Sequence, residues 1–196
     1  MLIMTNYRSS IAKAFVDLGG EDRIQGCKNV TECPTMDAER YLICDGFLAG
    51  KTIAEISDLD AAATWRENFM QIVVFCDKLF EANDNARVCI IGSESAFAGS
   101  HDETYANAKR AIHNYVERKP LRTPGQQLIG IAPTIIEDSG MTQRRDDLEA
   151  CLARGAARRR GAWLQAKDVA RLAYFALYMD RGNLCNTILR MNGGNW

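Results

Sequence analysis

Residues 88–116 read VCIIGSESAFAGSHDETYANAKRAIHNYV. Val88 to Ile91 form a short apolar run, the pattern of a strand buried on both faces, and it runs into Gly92 and Ser93. Twelve residues after Ser93 comes Tyr105, where a helical pattern opens. Tyr105, Ala108, Ile112 and Tyr115 recur at helical spacing, and the pattern closes before Pro120. A strand leading into a helix in this way is one repeat of an α/β domain, which places its ligands beyond the carboxyl ends of its strands. Tyr105 and Lys109 stand four residues apart, about 40° from eclipsed on one helical face, so phenol and ammonium approach the same point. A cation there favours phenolate and predicts a lowered tyrosine pKa, suited to proton exchange near neutral pH. Taken alone, the pair also describes a half-buried tyrosine beside an exposed lysine, so its surroundings decide.

Further apolar runs at Leu2 to Met4, Tyr41 to Cys44, Leu128 to Ala132 and Leu184 to Met191 read as strands. Between them, Trp65, Phe69, Ile72, Cys76 and Leu79 make one apolar helical stripe, which Asn68 interrupts. Val169, Leu172, Ala173 and Ala176 make another. The alternation predicts one Rossmann-like α/β domain over residues 1–196, a doubly wound parallel sheet. The stretch Gly19 to Met36, rich in glycine and polar residues, reads as a loop or a very short element. At 196 residues with 47% hydrophobic content, the chain can bury a real core.

Twenty-four basic residues against 25 acidic ones leave a net charge of -1, so no overall field draws the protein to nucleic acid or to an anionic membrane. The basic run from Ala153 to Gly161 reads as solvated or ion-paired surface, since few aromatics accompany it. The apolar runs fall short of a membrane span. Seven cysteines without a CxxC pair suggest reduced, mostly buried thiols in a cytoplasmic protein, with Cys27 and Cys33 able to pair under oxidation. His101 and His113 lack ligand spacing, so no metal is expected. Asp37, Glu39, Asp102 and Glu103 read as charges at helix starts.

The ordered series of these features resembles the short-chain dehydrogenase/reductase family over nearly the whole chain. That resemblance implies a Rossmann-like fold, NAD or NADP as cofactor, a small carbonyl or alcohol substrate, and assembly as a homodimer or homotetramer. It places the family's catalytic tetrad on Asn68, Ser93, Tyr105 and Lys109, with Ser95 as the alternative serine. Tyr105 would exchange a proton with the substrate oxygen, Lys109 would lower the tyrosine pKa and hold the nicotinamide ribose, and Ser93 would bind the substrate oxygen. Asn68 would position a water. IAPTIIEDSGMT resembles the family's proline-glycine strand end, implying cofactor contacts from Pro133, Thr134 and Ile136. RRRGAWLQAKDVARLAYFAL resembles its late helix, and the terminal NGG its closing Asp-Gly-Gly.

The chain departs from the family pattern at its first turn. In LIMTNYRSSIAKAF, Asn6, Ser10 and Ala12 occupy the three glycine positions of TGxxxGxG. Asn6, Tyr7, Arg8, Ser10 and Ile11 are still expected to line the cofactor path, because asparagine tolerates positive φ and the helix beginning near Ser10 offers unpaired N–H groups to an anion. The family's Asn-Asn-Ala-Gly becomes ICDG, which keeps Gly46 for the cofactor and brings in Asp45. The chain before Tyr41 is too short for the usual two outer strands with their helices, and neither an acidic residue reads as the ribose ligand nor a basic one as a 2′-phosphate ligand. Two functions follow. One is an NAD(P)-dependent oxidoreductase with Tyr105 as general acid/base; the other is a non-catalytic member that keeps the fold as a binding or assembly module.

Overall fold

The computed structural model describes residues 1–19, 23–144, 149, 163–180 and 182–192. The basic run 153–161, the Arg-x-Gly at 159–161, Gly193, Gly194 and Trp196 lie outside the described residues. Six strands run parallel in one sheet: β1 (Leu2–Met4), β2 (Ile24–Gly26), β3 (Arg40–Ile43), β4 (Arg87–Ile91), β5 (Gln127–Pro133) and β6 (Thr187–Met191). Their order is β2-β1-β3-β4-β5-β6. Leu2 pairs with Ile24 on one side and with Arg40 on the other. From β1 the chain steps outward to β2, crosses back to β3, then steps outward in the opposite direction. The reversal between β1 and β3 is the switch point at which such sheets leave a crevice.

Side-chain alternation along the strands feeds two cores, one per face, as expected of a doubly wound α/β sheet. On one face Ile3, Tyr41, Ile43, Val88, Ile90 and Leu128 pack with Ile72, Cys76 and Leu79 of helix α3 (Gln71–Ala82) and with Ile112 and Val116 of helix α5 (Glu103–Arg118). On the other, Leu2, Met4, Leu42, Cys89, Ile91 and Ile131 pack with Phe15 of helix α1 (Ser10–Asp17) and with Val169 and Ala173 of the late helix Ala166–Tyr174. Strand β5 is buried along its whole length, and at Gly130 an added Cβ would come within 2.3 Å of Ile188.

The stretch from Gly19 to Met36 holds two very short elements, β2 and a 3-10 turn, Val30–Glu32, and among the described residues β2 is the edge of the sheet. Two expectations need adjustment. The last strand begins at Thr187 because Leu184 is claimed by side chains: its N–H donates to Asp180 Oδ2 at 3.0 Å, and its carbonyl accepts from Gln127 Nε2 at 2.6 Å. The stripe from Trp65 to Leu79 does not run on one continuous helix. Helix α2 (Asp58–Trp65) and α3 are joined by a π-helical turn, Arg66–Met70, whose extra residue shifts the register. Ile72, Cys76 and Leu79 are fully buried, whereas Trp65 stays 36% exposed, edge-on to Phe69.

Candidate active site

In a parallel sheet every strand ends on the same edge, so the residues after β1, β3, β4 and β5 are neighbours there. Helix α5 carries Tyr105 and Lys109 to this edge. Its start is fixed by Asp102, a buried N-cap whose Oδ1 accepts the Tyr105 N–H at 2.8 Å and whose Oδ2 accepts the Gly50 N–H at 3.0 Å. One carboxylate thereby pins both the catalytic-type helix and the loop that follows β3. One turn later Lys109, 2% exposed, donates from Nζ to the Ile91 carbonyl at 3.2 Å, and its Nζ stands 5.7 Å from the centre of the Tyr105 ring. Ser93 stands near enough to the Tyr105 phenol to favour its charged form. Ser95 contributes its backbone N–H to Ser93 Oγ at 3.1 Å and opens a short helix, Ser95–Ala98.

Asn68 sits in the π-helical turn and is fully buried. Its Nδ2 donates to the carbonyls of Phe47 at 2.7 Å and Thr64 at 2.8 Å, and its Oδ1 accepts the Phe47 N–H at 3.3 Å. The widened turn is what directs this side chain inward. Gly46 lies between Asn68 and Lys109: a Cβ there would stand 3.2 Å from Asn68 Oδ1 and 3.6 Å from Lys109 Nζ. Asn68, Ser93, Tyr105 and Lys109 are thus brought to one buried group at the carboxyl ends of β3 and β4.

Burial sets the electrostatics of this group. The Tyr105 phenol is pushed up, first by burial and then by the Asp102 charge, while Ser93 pulls the other way. The lowered pKa expected from Lys109 is therefore overturned: an ammonium that is itself desolvated and aimed at the Ile91 carbonyl does not offset the loss of water around the phenol. Burial brings Lys109 down to about 8, against the opposing pull of Asp45 and Cys44. Asp45 is pushed up by burial, although Thr5, the Val30 N–H at 2.8 Å and Lys109 favour its charge. Asp45 Oδ1 has no hydrogen-bond partner among the described residues.

Two contributors escaped the sequence. His113 follows Lys109 by one turn on the same face; its Nε2 accepts the Ser93 N–H at 3.3 Å. A Cβ on Gly92 would fall 2.2 Å from that nitrogen, so the glycine makes room for the imidazole. Burial holds His113 down to about 4, keeping it neutral and able to accept. Its spacing from Tyr105 and Lys109 was the available signal. Lys28 escaped because it follows β2, which sequence periodicity does not reveal.

The turn after β1 takes the geometry of a glycine turn with asparagine in it. Asn6 has φ 45° and anchors itself by donating from Nδ2 to the Cys44 carbonyl at 3.2 Å. Ser9 caps α1 by accepting the Ala12 N–H at 3.2 Å; Ser10 is half-buried, and Ile11 and Ala12 face the core. Beside the turn is a cavity of about 650 Å³ whose lining includes Asn6, Tyr7, Arg8, Gly26, Cys27 and Lys28. Tyr7 lies against Gly26, where a Cβ would meet it at 2.7 Å. The left-handed Asn6, the room of the cavity and the net positive charge that Arg8 and Lys28 leave against Glu32 fit a dinucleotide. Pro133 ends β5, the Thr134 N–H donates to the Met191 carbonyl at 2.8 Å, and Ile136 is buried in a bridge to Leu164. These three sit at the same sheet edge, across the switch point from the cavity. Among the described residues no group of three or more metal-ligating side chains gathers, and no helix is long and apolar enough to cross a membrane.

No family model matches the sequence, and no curated protein matches it. Solved structures do. A short-chain dehydrogenase/reductase, glucose/ribitol dehydrogenase, from Brucella melitensis aligns with a TM-score of 0.81 at 16% identity, covering 100% of this chain and 96% of that one. A variant of actinorhodin polyketide ketoreductase, solved with NADPH, aligns with a TM-score of 0.81 at 16% identity, covering 98% of this chain and 96% of that one. A short-chain dehydrogenase family protein from Francisella tularensis reaches 0.82 at 14% identity, covering 99% and 97%. The protein therefore has the fold of the short-chain dehydrogenases/reductases.

Proposed function

We propose that the protein is a short-chain dehydrogenase/reductase in function as well as fold: an NAD(P)-dependent oxidoreductase that interconverts a carbonyl and an alcohol. The observation that carries this reading is the convergence of Asn68, Ser93, Tyr105 and Lys109 in one buried group. Packing alone has no use for four polar side chains at the end of an apolar sheet, and burying them is costly unless they serve a site. The similar ketoreductase solved with NADPH supports a nicotinamide cofactor.

Asn6, Tyr7, Arg8, Ser10 and Ile11 from the first turn would hold the dinucleotide, with Gly46, Tyr105, Lys109, Pro133, Thr134 and Ile136 closer to its reactive end. When bound, the cofactor supplies or accepts the hydride. The protein's own part is the proton. A buried phenol held above its ordinary pKa is a donor at neutral pH, which favours carbonyl reduction, with Tyr105 protonating the oxygen as it gains charge. Ser93, beside that phenol, donates to the same oxygen. Lys109, charged below about pH 8, stabilises the tyrosinate that remains, and Asn68 keeps the loop at Phe47 and the Lys109 side of the site in place. His113 acts through Ser93, whose backbone it holds. Assembly as a homodimer or homotetramer belongs to the same reading, and sedimentation equilibrium tests it.

The test is a calorimetric and fluorescence titration with NADH and NADPH, followed by a screen of carbonyl substrates. Saturable binding at micromolar to low millimolar concentration is expected; absence of binding by either cofactor overturns the reading. With a substrate in hand, Tyr105→Phe should lower kcat by about 10²–10⁴-fold, the range of general acid catalysis, with the melting temperature nearly unchanged. Retained turnover removes Tyr105 from the mechanism. A second reading, a non-catalytic module of the same fold, is favoured by one observation: Ser10 stands with its side chain where family members present a bare glycine backbone. No dinucleotide binding would decide for it.

A further inference from the structure

We propose that Cys27 and Cys33 are a modification site, a dithiol that a hydroperoxide converts reversibly to a disulfide in the wall of the cavity beside the Asn6 turn. Cys27 follows β2 directly, and Cys33 is the C-cap of the 3-10 turn Val30–Glu32, so the chain doubles back and brings the two residues together. Both belong to one packed cluster. Each thiol donates to a carbonyl, Cys27 Sγ lying 3.6 Å from Met4 O and Cys33 Sγ 3.3 Å from Thr35 O, and the two side chains are near enough for each to perturb the other's charge. Among the described cysteines, Cys44, Cys76 and Cys89 are buried, while Cys33 is only half-buried and thus open to a small oxidant.

The roles divide by exposure and charge. Cys33 is held down to about 7 by the neighbouring Cys27 side chain, which makes it the attacking sulfur, whereas Cys27 is pushed up by Cys33 and by burial. The Cys33 thiolate attacks one oxygen of hydrogen peroxide, the O–O bond breaks, and the released hydroxide takes up a proton to leave as water. Cys33 is then a sulfenic acid. Cys27 sulfur displaces the hydroxyl from Cys33 sulfur; the S–S bond forms, the S–O bond breaks, and the Cys27 thiol proton leaves with the hydroxide as a second water. Two thiols lose two electrons and one peroxide gains them. A thiol reductant reverses the change through exchange.

The position of the pair gives the modification a consequence that rests on the dinucleotide reading. Cys27 lines the cavity, its N–H donates to the Met4 carbonyl at 2.9 Å and its carbonyl accepts the Tyr7 N–H at 3.4 Å. The Lys28 carbonyl accepts the Asn6 N–H at 3.1 Å. Val30, inside the loop the disulfide would close, donates its N–H to Asp45 beside Lys109. Drawing Cys27 toward Cys33 therefore pulls on the first turn and on the strand end of the catalytic group together.

The experiment treats the reduced full-length protein with one equivalent of hydrogen peroxide, alkylates it with N-ethylmaleimide and maps tryptic peptides. Trypsin cuts after Lys28, so the expected disulfide joins two separate peptides, and dithiothreitol must release them. Cys33→Ser should slow peroxide consumption at least 10-fold and leave Cys27 as an alkylatable thiol. Recovery of both residues as alkylated thiols, or oxidation of Cys33 to a sulfinic acid without a cross-link, overturns the proposal. NADPH titration of both forms follows: weakening by 5-fold or more on oxidation is expected, and equal affinity overturns the coupling to the cavity. Failure of the reduced form to bind NADPH counts against the proposed function alone, because peptide mapping decides the disulfide independently.

Discussion

Lys109 shows what the site takes from the fold. Its pKa falls from an ordinary 10.5 to about 8 because the ammonium is buried with one carbonyl and a nearby carboxylate for company. The folded state holds this proton less tightly than the unfolded chain does. Stability therefore rises with pH between about 8 and 10.5, and the penalty is fully present below pH 8. Two and a half units correspond to about 3 kcal/mol, an upper figure for the charge alone. Lys109→Met removes the charge and keeps an unbranched apolar stem, so we expect stabilisation of about 1–3 kcal/mol at pH 7 and a flatter stability profile from pH 8 to 10.5, alongside loss of turnover. Urea melts across that range measure it. A variant less stable than the parent would show that the attraction to Asp45 outweighs desolvation.

Elements explain what could be read in advance and what could not. Strands β1, β3, β4 and β5 were legible because strands buried on both faces are continuous apolar runs, and Tyr105 and Lys109 were legible because four residues make one helical turn. β2 was not, since Ile24–Gly26 is a short edge strand with a single aliphatic residue, held by its pairing to β1. The π-helical turn at Arg66–Met70 was visible only as Asn68 in an apolar stripe; the extra residue that turns Asn68 inward has no periodicity of its own. The turn after β1 makes a prediction at this scale. Asn6 adopts φ 45° and spends its amide on the Cys44 carbonyl. Asn6→Ala should cost about 1–2 kcal/mol in left-handed strain, and the lost hydrogen bond adds to it. Asn6→Gly relieves the strain and should fall within about 1 kcal/mol of the parent. Denaturant midpoints of the two variants distinguish backbone strain from the hydrogen bond: equal losses would assign the whole effect to the amide.

For the whole molecule, the consequence of a sheet that ends at β2 is an adenosine side built from few elements. The crevice at the β1/β3 switch point is intact, and so is the group at the ends of β3 and β4, but on the proposed function one edge strand and one turn would hold the far half of the dinucleotide. On that reading, the charges there bear on which dinucleotide it would be. Lys28 and Glu32 stand 3.9 Å apart with opposite charges, whereas among the described residues Arg8 meets its neighbour Tyr7, with Nε 3.2 Å from the hydroxyl and the guanidinium over the ring. Arg8 thus leaves a net positive charge in the cavity, and an arginine near this turn suits the 2′-phosphate of NADPH. A ligand that binds only the folded state stabilises it by about 2.7 kcal/mol at one hundred times its Kd, which for a domain of this size raises the melting temperature by roughly 5–10 °C. NADPH should therefore produce a larger thermal shift than NADH at equal concentration, and Arg8→Ala should bring the two shifts together. An NADH shift equal to or larger than that of NADPH in the parent protein would place the recognition elsewhere than on Arg8.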